Sequence, residues 1–126
     1  MDNMLDELNK VKYHQKLLLT IALDNNPEQY TYFHFIMNHD LSEKDSKVIF
    51  HLLHALEDKR KGTYQKDKYE AGIASLLGDN PSVSIDTIEK ALLHVNIDVN
   101  PVYLTKSMRD QYILVDLCNY LLRELK

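Results

Sequence analysis

Apolar side chains recur along this chain at steps of three and four, the period of an amphipathic helix. From about Asp2 to Leu23 the positions Met4, Leu8, Val11, Gln15, Leu18 and Ala22 alternate steps of four and three. That is the seam of a coiled coil or of a long helical hairpin. Leu5, Leu17, Leu19 and Ile21 widen the apolar surface, so the C-terminal half of this helix needs cover on more than one side. Gln15 is the polar exception, and a lone amide in such a seam selects register or oligomeric state at some cost in stability.

Further helices follow, each with its own punctuation. Asn26 and Pro27 suit an N-cap and a first helical position, with Gln29 placed to complete a capping box, and open an aromatic helix at about Glu28–Asn38. Ser42 caps a third, with Glu43 and Asp45 in its first turn and the stripe Val48, Ile49, Leu52, Leu53 and Leu56. Lys59, Arg60 and Lys61 close it before Gly62, a residue suited to a left-handed C-cap. A weaker fourth helix, about Gln65–Leu77, carries Tyr69, Ile73, Leu76 and Leu77 inward and is interrupted by Gly72. Ser84 caps a fifth, about Ile85–Val95. The stretch Val95–Val99 alternates like a short strand but has nothing to pair with. Asn100 and Pro101 start the last helix, expected to run to about Leu125 through Leu104, Met108, Tyr112, Val115, Cys118 and Leu122.

The expected fold is therefore all-α, a single domain over residues 1–126 of about six helices, with long helices at both ends. Their faces exceed what one subunit can cover, with Leu17, Leu18, Leu19, Ile21 and Ala22 at one end and Leu117, Leu121, Leu122 and Leu125 at the other. Apolar surface of that extent marks an interface, and a homo-oligomer is the simplest occupant. The interface positions read from the pattern are Leu8, Val11, Gln15, Leu18, Ala22, Val115 and Leu122.

Composition agrees. The chain has 126 residues, 44% hydrophobic and 27% charged, which supports one packed core. Three glycines and three prolines are too few for a fold of many tight turns. The net charge of −4 argues against a general affinity for nucleic acid or anionic membrane. No apolar run approaches a membrane span, and the N-terminus lacks the pattern of a secretory signal. One cysteine, Cys118, excludes a disulfide framework and a cysteine-based zinc site, and a cytoplasmic setting is expected.

Candidate chemistry is sparse. His51, His54 and Glu57 are spaced to share a helix face and offer ligands for a divalent metal, with His39 a possible addition from the loop. The spacing is not that of a zinc protease, and the plainer reading has these histidines flanking the apolar stripe. Lys59, Arg60, Lys61, Lys66 and Lys68, interleaved with Tyr64 and Tyr69, form a basic strip of the kind that binds single-stranded nucleic acid. Asp58, Asp67 and Glu70 dilute it, and a helix C-terminus favours positive charge in any case. Tyr30, Tyr32, Phe33 and Phe35 suit core packing better than a ligand pocket. Cys118 falls on an apolar face as a structural thiol. No nucleophile motif, phosphate-binding glycine loop or dinucleotide fingerprint is present, and no cofactor is expected.

Three segments together carry a resemblance: Leu8–Leu19, Tyr32–Asp45 and Val83–Leu93. In this order they resemble the YhaI-like family, small uncharacterised proteins of Bacillus and its relatives. The resemblance implies a multi-helical, oligomeric protein and brings no functional residues with it. The resulting expectation is a non-catalytic oligomeric protein acting through protein–protein contact. The alternatives are a nucleic-acid adaptor using residues 59–68, and a metal-binding protein or enzyme using His51, His54 and Glu57.

Overall fold

The computed structural model describes residues 2–24, 29–69, 71–78 and 80–124. Among them the helices are α1 (Asp2–Ala22), α2 (Thr31–Asn38), α3 (Glu43–Lys61), α4 (Ala71–Leu77), α5 (Ile85–His94), α6 (Pro101–Asp110) and α7 (Val115–Arg123), with a 3-10 turn at Lys66–Lys68 before α4. The described residues contain no strand, and none of these helices is long and apolar enough to cross a membrane. The caps expected at Asn26 and Pro27 lie outside the described residues, as does Leu125.

Three helices start where polar caps place them, whereas α2, which begins at Thr31 rather than near Glu28, and α7 have no side-chain cap. Ser42 Oγ accepts from the Asp45 N–H at 3.1 Å, and the Asp45 carboxylate accepts from the Ser42 N–H at 3.0 Å, a reciprocal capping box on α3. Ser84 Oγ accepts from the Thr87 N–H on α5. Asn100 Oδ1 accepts from the N–H groups of Val102 and Tyr103, with Pro101 in the first turn of α6.

Four helices end the same way. After α2, α3, α5 and α6 the chain turns through a left-handed residue, Asp40, Gly62, Asn96 and Tyr112 respectively. The next N–H then bonds a carbonyl five residues back: Leu41 to Ile36, Thr63 to Asp58, Ile97 to Leu92 and Ile113 to Met108. In three of the four, both residues of that bond are apolar and lie in the core or pack against it. The terminator therefore also folds the exiting chain back over the helix.

The interior is built on α3, whose Ile49, Leu52, Leu53, Ala55 and Leu56 are fully enclosed. α4, α5 and α7 pack around it. α6 and α7 form a tight helical hairpin, and α2 lies against α6. Thr31 Oγ1 donates to the Ser107 carbonyl at 2.6 Å, and the Phe33 N–H donates to Gln111 Oε1 at 3.0 Å, fixing α2 to the end of α6.

Two expectations are corrected. The last helix is not continuous from Pro101 to about Leu125. It breaks after Asp110, and Tyr112 (φ +64°) and Leu114 (φ +48°) turn it into the α6–α7 hairpin. A straight helix would have carried the apolar residues after Met108 away from the core. The reversal lets Leu117, Cys118 and Leu121 be fully buried. The fourth helix is also shorter than the pattern suggested, a 3-10 turn followed by α4. There Tyr64 and Tyr69 stack at 5.3 Å, and their hydroxyls donate to the Gly78 carbonyl and the Asp58 carboxylate, tying the segment to α3 and to the end of α4.

Candidate functional site

α1 presents two stripes, and the subunit buries only one. Leu17 and Ile21 are buried, with Lys10, Tyr13 and His14 half-buried on the same side. This stripe, rather than the expected seam, docks the helix. Lys10 Nζ donates to Asp40 at 2.8 Å, His14 Nε2 lies 2.6 Å from the Leu41 carbonyl oxygen, and Leu17 joins the core. The docking site is thus the turn between α2 and α3, where Asp40 is left-handed. The Lys10 ammonium holds the Asp40 carboxyl below its ordinary value, and the Asp40 and Glu7 carboxylates raise that of Lys10.

The 4–3 seam faces solvent. Met4, Leu8, Val11 and Leu18 are 77, 50, 49 and 52% exposed, and Gln15 and Ala22 are exposed with them. At 3.6 residues per turn its centre lies about 130° around the helix from the buried stripe. Residues 3–9 are exposed on every side. A helix with no tertiary cover over two turns is marginal in water. Leu5, Leu19 and Leu23 enlarge the outward apolar surface.

The C-terminal end differs from expectation. Leu117 and Leu121 are buried within the subunit, so they are no leftover surface, and Leu17 and Ile21 are likewise consumed at the N-terminal end. Val115 and Leu122 are half-buried.

The metal candidates do not converge. His51 and His54 are exposed beside Phe50, whose ring centroid is 6.3 and 5.6 Å from theirs. Glu57 is buried and accepts from Arg60 Nε at 2.6 Å, so its carboxylate is already occupied. His39 caps its own helix, with Nδ1 3.0 Å from the Phe35 carbonyl oxygen and its ring stacked on Phe35. Among the described residues no group of three or more histidine, cysteine, aspartate or glutamate side chains is placed to hold a metal ion.

The basic strip is partly spent on the fold. Lys59 donates to Asn80, and Arg60 to Glu57, while Lys61 and Lys68 are exposed. Lys66 begins the 3-10 turn. Tyr64 and Tyr69 stack on each other, which occupies one face of each ring. The aromatic group of α2 packs as expected: Tyr32 and Phe35 are buried and Tyr30 stacks on Phe33. Burial pushes the Cys118 thiol up to about 11, that of a structural rather than reactive cysteine.

A second cationic surface was not legible in the sequence. Arg60 of α3, Lys106 and Arg109 of α6, and Arg123 of α7 line one open cleft. Their separation along the chain hides the grouping until the hairpin forms. Three carboxylates offset most of the charge of these four cations: Asp116 lies in the same cleft, Glu57 pairs with Arg60, and Asp110 pairs with Arg109.

Residues 1–76 match the family described as "Protein of unknown function (DUF1878)". The match covers α1, α2, α3 and nearly all of α4, and so includes both stripes of α1 and the corner on which it docks. No curated protein and no solved structure matches the chain.

Proposed function

The chain belongs to the DUF1878 family, and from that premise we propose that it is a non-catalytic interaction module that self-associates through the outward face of α1. The observation that carries this reading is the solvent-facing seam Met4, Leu8, Val11, Gln15, Leu18 and Ala22 on a helix whose first two turns have no cover. Such a stripe is disfavoured on a free surface, and burying one half-exposed leucine contributes about 1–2 kcal/mol. The closer likeness to YhaI-like proteins of Bacillus belongs with this reading, since it too implies an oligomer. A cytoplasmic setting is part of it, supported by a single, buried thiol.

The test is the mass of the purified protein by light scattering at micromolar concentration. The wild type is expected to exceed the mass of one chain, 14.8 kDa. Leu18→Glu is expected to return it to one chain without loss of helical circular dichroism. A wild type of single-chain mass at all concentrations refutes self-association.

A further inference from the structure

We infer that the occupant of the α1 seam is the same helix of a second copy, running parallel and in register. This rests on the self-association reading above, and the area supports it. Met4, Leu5, Leu8, Val11, Leu18 and Leu19, on or beside the seam, are all about half-exposed or more. At roughly 100 Å² apiece they offer on the order of 600 Å² of apolar surface per copy. That approaches the roughly 800 Å² per partner of a standard stable interface. The docked stripe lies about 130° away around α1, so two seams meet with both subunit bodies outside.

Polarity follows from the polar residues. Written as heptads, Leu8, Gln15 and Ala22 occupy a, and Met4, Val11 and Leu18 occupy d. Glu7 then falls at g, and Lys12 at the e position of the next heptad. In a parallel pair g of one helix meets the following e of the other, so Glu7 of each copy faces Lys12 of the second, twice by symmetry. Lys12 is exposed, and Glu7, which pairs with Lys10 of its own helix at 3.1 Å, is still 67% exposed, so its carboxylate has a face left to reach across. Gln15 meets the second copy's Gln15, and the two amides can satisfy each other.

The antiparallel pair that keeps every seam layer places Met4 opposite Ala22, Leu8 opposite Leu18 and Val11 opposite Gln15. There Lys12 lies beside the second copy's Lys12 at the two-fold axis, like charge against like. Gln15 is set against Val11, a buried amide without a partner. Charge and hydrogen bonding both favour the parallel arrangement.

Two measurements on the full chain test this. Leu18→Cys is expected to form a disulfide between copies under mild oxidation, because d positions face each other in a parallel pair. In the antiparallel pair the two residues 18 lie about 15 Å apart along the axis, beyond disulfide reach. Cys118 is buried and does not compete. Separately, Glu7→Lys and Lys12→Glu are each expected to weaken self-association roughly three- to tenfold, and the doubly exchanged chain to recover it. Cross-linking only between Leu8→Cys and Leu18→Cys chains overturns the parallel assignment and leaves self-association standing. Failure of the double exchange to recover affinity likewise overturns it. Single-chain mass with no cross-link in either experiment overturns both readings.

Discussion

Tyr112→Gly separates two structures that the sequence makes hard to tell apart. In the observed hairpin Tyr112 has φ +64° and its side chain is 79% exposed. A left-handed conformation costs an L-residue roughly 1–2 kcal/mol, which glycine avoids. Glycine loses more backbone freedom on folding, an offset of about 0.5–1 kcal/mol. The exposed ring gives up little packing, so the net expectation is stabilisation of about 0.5–1 kcal/mol. That is a rise in Tm of about 2–5 °C for a domain of this size. A helix continuous through residues 111–114 predicts the opposite sign, since an interior glycine costs about 1 kcal/mol. Tyr112→Ala is the control. It keeps the left-handed cost and should be neutral or slightly destabilising in the hairpin, whereas a continuous helix would gain from alanine. Guanidinium unfolding reads the result as a change in midpoint at constant slope. A lowered midpoint for glycine with a raised one for alanine refutes the break.

Leu121→Ala, at a fully enclosed site, should cost about 2–5 kcal/mol in denaturant unfolding, and Leu122→Ala, half-buried beside it, less than half as much. Because the folded Cys118 thiol is raised from 9.0 to about 11, it should resist thiol reagents at pH 8 until the chain is unfolded. The same shift means the unfolded chain releases its proton first, so stability should fall as pH rises from about 9 to about 11; a constant unfolding midpoint across that range counts against burial. The Asp40 carboxyl should titrate below the ordinary 3.8 when followed by carbon NMR, and Lys10→Gln should move it back up. Its stabilising effect on α1 docking is present above the unfolded value and lost as pH falls through the folded one.

Much of this architecture is written in short stretches. Ser42, Ser84 and Asn100 cap helices because a side-chain oxygen meets an N–H two or three residues away, and Gly62 ends α3 because it enters the left-handed region freely. The outward face of α1 was visible in the same way, since its 4–3 spacing is a property of one segment. Local pattern could not say which of two stripes on α1 the subunit would bury. Lys10 and His14 dock through Asp40 and Leu41, groups that come close only once α2 has ended. It could not show the break at Tyr112, where nothing in the side chain marks a left-handed turn. That turn is held by the return bond from Ile113 to Met108 and by the burial of Leu117 and Leu121 that it permits. The fate of His51, His54 and Glu57 was equally hidden, because shared helical spacing does not tell solvent from core. Sequence determined the capped starts of α3, α5 and α6 through interactions spanning one turn; tertiary packing chose the faces, the shorter α4 and the last reversal, because competing apolar stripes are resolved only by what the rest of the chain brings against them.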